Sequence, residues 1–403
     1  MANPAPVGKN VPKLAFDVNG SGPVGCHWAE IDRLQQEKDW FWTTYAHGHW
    51  VLLDPEAIRE AFQTPVVFSS VSEVAAEPDP SYTWIPSNID PPEHVKYRQV
   101  LNSWFAPKAV ESLSPAATAW CRELVERIRS TGRCDFMADF GSIYPTGVFL
   151  SSMGLPLSEA DRFVEWVRAI FDNLRHPALA DKLAVAMGEV REYFTDLTAQ
   201  RRRAPLDPDK DFVSHLVRSK LEGRLLTDEE ILNMCVVLVM AGLETTSGQL
   251  SYMFHHLATH PEHRQRIIED PAIIPVAVEE FLRVHPIVLP GRKLTRDIEF
   301  HGCPMRKDDM VMLTIPAANR SPLMADHPTE VDFDRQGPNR HVAFGSGPHR
   351  CLGIHLARRE LSTALQVWHE LIPNYEVEHG AELVERGGQL GLVHLPLVWS
   401  AAS

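Results

Sequence analysis

The sequence has no CxxC pair, no internal repeat, no low-complexity tract and no surplus of positive charge. Each absence removes a class of protein. Its six cysteines, at 26, 121, 134, 235, 303 and 351 of 403 residues, show no paired spacing, which excludes a zinc ribbon and a disulfide scaffold. Lys+Arg total 39 against 53 Asp+Glu, a formal charge of −14. A chain of that sign has no general basic face for phosphates, so nucleic acid is not expected as a partner. Met1 to Lys13 carries no apolar core of a signal peptide. The longest apolar run, Cys235 to Leu243, stops at Glu244 and is too short to span a bilayer. The expectation is a soluble, cytoplasmic, monomeric protein with no membrane partner. No stretch is long or polar enough to read as a linker, so residues 1–403 are expected to form a single domain. At that length a core needs no disulfide or metal staple.

What is present is a run of helical patterns with small strands. Trp50 to Leu53 and then Ala57 to Phe62 read as a strand and a helix. From about Pro107 the periodicity is helical, and Ser158 to Leu174 and Ala178 to Arg201 carry apolar residues at three- and four-residue spacing. Arg201 to Arg203 reads as a solvated cap at a helix C-terminus. Thr227-Asp-Glu-Glu230 fits a capping box. The helix it opens is expected to run to about His260, roughly 50 Å at about 1.5 Å per residue. Its middle is apolar on nearly every side, so it belongs in a core. A helix over Ile273 to Val284 follows, then strands near 292–295, 298–300 and 310–315, a loop-rich stretch to 343, a long helix from about Cys351, and a strand near Val393 to Trp399. The expected class is mostly α, of α+β type.

Three constellations carry chemistry. Phe344-Gly-Ser-Gly-Pro-His-Arg-Cys-Leu-Gly353 precedes the last long helix. Its glycines permit a tight path, and Cys351 would lie at a helix N-terminus, where the dipole favours thiolate. A thiolate held so is a strong axial ligand for haem iron. The alternatives are a buried structural cysteine, or a nucleophile with His349 as base, although two-residue spacing rarely lets such a pair meet. Ala241-Gly-Leu-Glu-Thr-Thr246 interrupts the long apolar helix. A carboxylate and a hydroxyl there are costly unless satisfied or used. Thr245 can bond a carbonyl one turn back and open the helix, and Gly242 lets a flat ligand or O2 approach the backbone. The alternative is a satisfied Glu244 beside a helix-bending Thr245. Glu280-Phe-Leu-Arg283 is an i,i+3 ion pair. The same spacing begins at Glu30, Glu56, Glu126, Glu159 and Glu165, all read as solvated helix faces, so only its position sets it apart.

In this order, these motifs resemble those of the cytochrome P450 monooxygenases, over almost the whole chain. Phe68-Ser-Ser, Trp84-Ile-Pro-Ser, Asp90-Pro-Pro-Glu93, Gly291-Arg-Lys-Leu-Thr295, Ala357-Arg-Arg-Glu360 and Leu395-Pro-Leu-Val-Trp399 look like the bacterial camphor hydroxylase group. The resemblance implies the triangular P450 prism, with haem b between the long helix and the helix after the Cys loop. It implies Cys351 as the iron ligand, with Gly242, Phe344 and Gly353 also against the cofactor. His94, Arg98, Arg292 and His349 would hold the propionates, Glu244 and Thr245 would relay protons, and Glu280 and Arg283 would be structural. Two departures stand out: Glu244 replaces the usual Asp, and Pro290 replaces an Asp of the camphor enzyme.

The resemblance further implies hydroxylation of an unactivated C–H with O2. No reductase is fused, so electrons would come from NADH through a separate ferredoxin reductase and two-iron ferredoxin. Arg98, Arg340, Arg350 and Arg358 are candidates for a basic docking patch on that side. A peroxide-driven peroxygenase and a non-enzymatic haem sensor are the rival readings, and the acid–alcohol pair argues against both. The substrate wall would draw on Tyr82, Trp84, Val237, Met240, Val288, Leu289 and Leu390. Nearly all are apolar, with Tyr82 as a polar handle, so an oxygenated monoterpenoid or norisoprenoid is expected.

Overall fold

A computed structural model describes residues 11–173, 180–336 and 340–400. The chain resolves into two compact units, each built from three separate stretches. The first comprises Met1–Val95, Glu279–Cys351 and Val384–Gly391, and the second Lys96–Val278, Leu352–Leu383 and Leu392–Ser403. Two of the crossings fall inside helices, Glu93–Asn102 and Ile274–Val284. A boundary inside a helix leaves no Pro- or Gly-rich linker, which is why composition gives no sign of it.

The first unit is organised on a six-stranded sheet in the order Lys13–Leu14, Trp40–Thr43, His49–Leu52, Met310–Leu313, Gly291–Leu294, Phe68–Ser69. Met310–Leu313 runs parallel to His49–Leu52 and antiparallel to Gly291–Leu294. Trp50, Val51, Leu52, Val311 and Leu313 are buried in a core shared with Phe41, Trp42 and Phe62. Helix Pro55–Gln63 follows the third strand in sequence, begun by Asp54, whose carboxylate accepts the Ala57 N–H at 2.7 Å. Pro55 opens this helix, where a missing N–H costs nothing.

The second unit is helical, with a three-stranded sheet of Glu376–Val377, Pro396–Val398 and Arg133–Asp135 at its margin. Helix Ile354–Leu371 packs on helix Pro107–Arg129. Leu361, Ala364, Leu365 and Trp368 face inward, as the spacing predicts. Trp368 joins Phe136, Phe140 and Phe254 in an aromatic cluster at ring separations of 5.2 Å. Helices Ala160–Asn173 and Ala180–Arg203 match the two periodic segments. The expected start at Ala178 and end at Leu174 lie outside the described residues.

Of the three arginines only Arg203 stays at the exposed helix end, donating to Ala199 O at 3.2 Å; Arg201 and Arg202 do not form a solvated cap. The Arg201 guanidinium meets Asp211 through three hydrogen bonds of 2.9–3.0 Å, and Arg202 reaches Asp228 and the Val217 carbonyl, each at 2.9 Å. A run of arginines at a helix end serves here to tie the next helix, Phe212–Arg218, and the start of the long one.

The long helix begins as expected. Thr227 Oγ1 accepts from Glu230 N at 3.2 Å, and Glu230 accepts the Thr227 N–H at 2.7 Å. It is, however, two helices, Asp228–Gly242 and Glu244–Thr259, joined at Leu243. Residues Asp228 to Thr259 are long and apolar enough to cross a membrane, yet most of this stretch is buried within the protein. That marks a core helix.

Candidate functional site: the Cys351 loop and the broken helix

The loop before Cys351 is held in the first unit by glycine geometry. Gly345 and Gly347 adopt φ of 69° and 68°, a region closed to most side chains. At Gly347 space fails as well, because a Cβ would stand 2.4 Å from the Phe62 carbonyl oxygen. The loop therefore lies hard against the end of helix Pro55–Gln63. A short 3-10 turn, Gly347–His349, follows, and the Cys351 N–H donates to Phe344 O at 2.9 Å. The next helix begins at Ile354, capped by Gly353 of the second unit.

Cys351 is the exposed cysteine of the six. Cys121, Cys134, Cys235 and Cys303 are buried, and burial pushes all four thiols up. Those four are packing residues.

In the same unit Arg292 is buried in strand Gly291–Leu294. Its Nη1 donates to Gly291 O at 2.7 Å, and its guanidinium lies 5.6 Å from the Phe62 ring centroid. Burial lowers its pKa, and nearby Glu73 and Asp90 only partly oppose this. A buried guanidinium with one hydrogen bond among the described residues has donors left for an anion. The His94 and His349 rings lie 4.1 Å apart at 38°, with His94 buried on helix Glu93–Asn102. Arg98 follows His94 by four residues on that helix, half-buried.

Tyr82 and Trp84 stack at 4.4 Å. The Tyr82 hydroxyl donates to Glu77 Oε2 at 2.9 Å. A phenol has one proton, so Tyr82 donates to a ligand only if this bond opens. Val288 is half-buried, Leu289 is buried, and Leu390 has no exposed surface at all.

Glu280 and Arg283 meet through two hydrogen bonds, 2.8 and 2.7 Å. Burial would raise the Glu280 pKa, but the Arg283 and Arg335 contacts outweigh it and hold the carboxyl below its usual value. Arg335 donates to Glu280 Oε1 at 2.9 Å, and the Asp332 N–H to the same oxygen at 3.1 Å. Arg283 also reaches the carbonyls of Asn319, Pro328 and Glu330. By contrast Glu30–Arg33, Glu126–Arg129 and Glu159–Arg162 are largely exposed surface pairs. Arg335 is the residue that sequence reasoning missed, since nothing local in Asp332-Phe-Asp-Arg335 signals a partner more than fifty residues upstream.

In the second unit the break in the long helix carries its own geometry. Val237, Met240 and Glu244 are buried, whereas Ala241 is exposed and Gly242 and Thr245 are half-exposed. An opening in the middle of a core helix is unusual. Thr245 Oγ1 donates to Ala241 O at 2.7 Å, and the Ser247 N–H reaches Leu243 O only at 3.4 Å. The threonine takes over the carbonyl at the break, as its position predicts. A Cβ on Gly242 would press on Phe149 at 3.3 Å.

A family model described as cytochrome P450 matches residues 27–390. The chain belongs to the cytochrome P450 family. It is a P450 monooxygenase. A probable cytochrome P450 127A1 of Sinorhizobium fredii is 34 % identical over 361 residues, 89 % of this chain and 85 % of the relative. A mycinamicin IV hydroxylase/epoxidase of Micromonospora griseorubida is 33 % identical, over 77 % of this chain and 79 % of its own. Among solved structures, cytochrome P450 CYP101C1 superposes with a TM-score of 0.88 at 29 % identity, covering 98 % of this chain and 99 % of the other. CYP101J2 does so at 0.86 and 30 %, covering 97 % and 99 %. Both belong to the camphor hydroxylase group, and the mostly helical P450 fold is the fold of this chain.

Membership of the P450 family implies a haem on a thiolate. The donors of the first unit fit that group: one exposed sulfur just before a helix and a buried guanidinium with donors to spare.

Proposed function

We propose that this P450 hydroxylates an unactivated C–H of a small apolar molecule, with Cys351 as the iron ligand. The observation that carries the reading is the exposure of Cys351 beside a helix start, when four of the other cysteines are buried. Haem on a thiolate supplies reductive activation of O2. Arg292, Arg98, His349 and His94 hold its propionates, because guanidinium and imidazole donors suit carboxylates in a dry site. Phe344, Gly353 and Gly242 give it room. Glu244 brings a proton inward, and Thr245 positions it.

In the resting arrangement the Thr245 proton points back at Ala241 O. Its oxygen can therefore accept a hydrogen bond at once, and must rotate to donate one. Residues 1–403 act as one cytoplasmic catalytic domain, monomeric, fed with electrons from NADH by a ferredoxin reductase and a two-iron ferredoxin.

The substrate wall of this reading draws on Trp84, Val237, Met240, Val288, Leu289 and Leu390, all apolar. An oxygenated monoterpenoid or norisoprenoid suits it. Tyr82 serves as the handle by exchanging Glu77 for the ligand oxygen. NADH oxidation with added ferredoxin and reductase, set against turnover with peroxide alone, tests the reading. Product from the first mixture and none from the second is expected. Efficient turnover with peroxide alone would make this a peroxygenase.

A further inference from the structure

Cys26 and His27 open helix Cys26–Gln35, and Glu385 opens the two-residue strand Glu385–Arg386. All belong to the first unit. Gly22 and Glu385 exchange backbone hydrogen bonds of 2.9 and 2.8 Å, which seats the glutamate beside the helix start although 358 residues separate it from His27. The three side chains converge. Cys26 Sγ lies 3.4 Å from His27 Nδ1 and 3.7 Å from Glu385 Oε1. His27 Nδ1 touches the same Glu385 oxygen. Glu385 is fully buried and His27 nearly so.

We propose that Cys26, His27 and Glu385 bind a zinc ion. Zinc takes sulfur at about 2.3 Å and nitrogen or oxygen at about 2.0–2.2 Å, so a tetrahedral site separates its donors by roughly 3.3–3.6 Å. Both sulfur edges of this triangle already have about that length. The imidazole–carboxylate edge is short and opens by less than about 1 Å to admit the ion.

The second observation is the far side of the imidazole. His27 Nε2 lies 3.0 Å from the Gly20 carbonyl oxygen. A carbonyl only accepts, so the proton of a neutral ring sits on Nε2. Nδ1 then turns a lone pair on a carboxylate oxygen, and two acceptors in contact require a proton or a cation between them. A histidine that ligates metal through one nitrogen typically donates the other N–H to a backbone carbonyl in this way.

Room for the sulfur is also built in. A Cβ at Gly22 would stand 2.7 Å from Cys26 Sγ. The mix of thiolate, imidazole and carboxylate suits zinc and not the all-oxygen shells of calcium or magnesium. Binding displaces the Cys26 thiol proton and the proton held between Nδ1 and Oε1. Thiolate and carboxylate then balance the charge of the ion, and water completes its shell on the half-exposed Cys26 side. Such an ion staples two distant parts of the chain.

Without metal the same residues make a helix cap, since Glu385 accepts the Gly25 N–H at 2.7 Å and the His27 N–H at 3.3 Å. The test separates the two states. The full-length, haem-loaded protein is stripped with EDTA, dialysed against zinc, and assayed for metal per chain. About one zinc is expected in the wild type, and none at this site in Cys26→Ala or His27→Gln variants of equal haem content. In the wild type alone, zinc should slow alkylation of Cys26, read by peptide mass, by at least about ten-fold, because the thiolate is the reacting form. Zinc retained equally by both variants, or alkylation of Cys26 at an unchanged rate, would overturn the proposal and leave a proton-held cap.

Discussion

Single atoms decide what the residues of the broken helix can do. Thr245 holds its proton on Ala241 O, at a point where the opening exposes Ala241. A hydroxyl so placed can serve the helix, the chemistry, or both, and substitution separates these. Thr245→Ala removes the hydroxyl while leaving a better helix former. Product formed per NADH should fall by roughly 10²-fold, the lower end of what a positioned proton donor contributes, with peroxide appearing in its place. Thr245→Ser, which keeps the oxygen, should recover most of the coupling. Unchanged product per NADH in the alanine variant would make Thr245 a helix residue only. The threonine's back-bond was legible in the sequence because it depends on a neighbour one turn away. The Tyr82 bond to Glu77 was not, since a phenol's partner in a proline-rich loop is set by how the loop closes.

At the scale of elements, the buried Glu280–Arg283–Arg335 cluster ties residues 319–335 to helix Ile274–Val284. A helix over Ile273 to Val284 was expected from its spacing, and the α-helix runs over Ile274–Val284, with Ile273 closing the 3-10 turn before it. Why this ExxR is buried, when three others lie on the surface, could not be read from spacing. The answer is Arg335 and the carbonyls of Asn319, Pro328 and Glu330, all far along the chain. Removing one member of a buried ionic cluster leaves charge without compensation, at a cost of about 3–5 kcal/mol. Arg335→Ala should therefore lower unfolding stability by that order and reduce haem content, measured by urea unfolding and by haem per chain. Retention of both would show that Glu280 and Arg283 suffice. The long helix shows the same division. Its capping box was legible locally, but its split at Leu243, where the Thr245 hydroxyl takes the Ala241 carbonyl, was not.

For the whole molecule, buried imidazoles make stability depend on pH. His49 is buried with neither ring nitrogen hydrogen-bonded, and burial lowers its pKa from 6.5 to about 4. His369 is lowered from 6.5 to about 4 by burial, partly opposed by its bond to the Leu365 carbonyl. Between those values the unfolded chain binds protons that the native protein does not. The contribution is intact above about pH 6.5 and is lost as pH falls toward 4, at roughly 3 kcal/mol for each histidine. Urea unfolding between pH 7.5 and 4.5 should show this loss, and His49→Phe should flatten it. An identical slope in the variant would acquit His49.

The division into two interleaved units was hidden for a related reason: a boundary inside a helix has no composition of its own. The family, by contrast, was legible because its motifs are short and local, and Cys351 is the residue on which all of them turn. The reduced-CO difference spectrum of Cys351→His, beside the wild type, tests this most directly. The wild type should give the band of thiolate ligation, and the variant should take up haem but lose that band. A variant that kept the thiolate band would contradict the assignment of Cys351 and the account built on it.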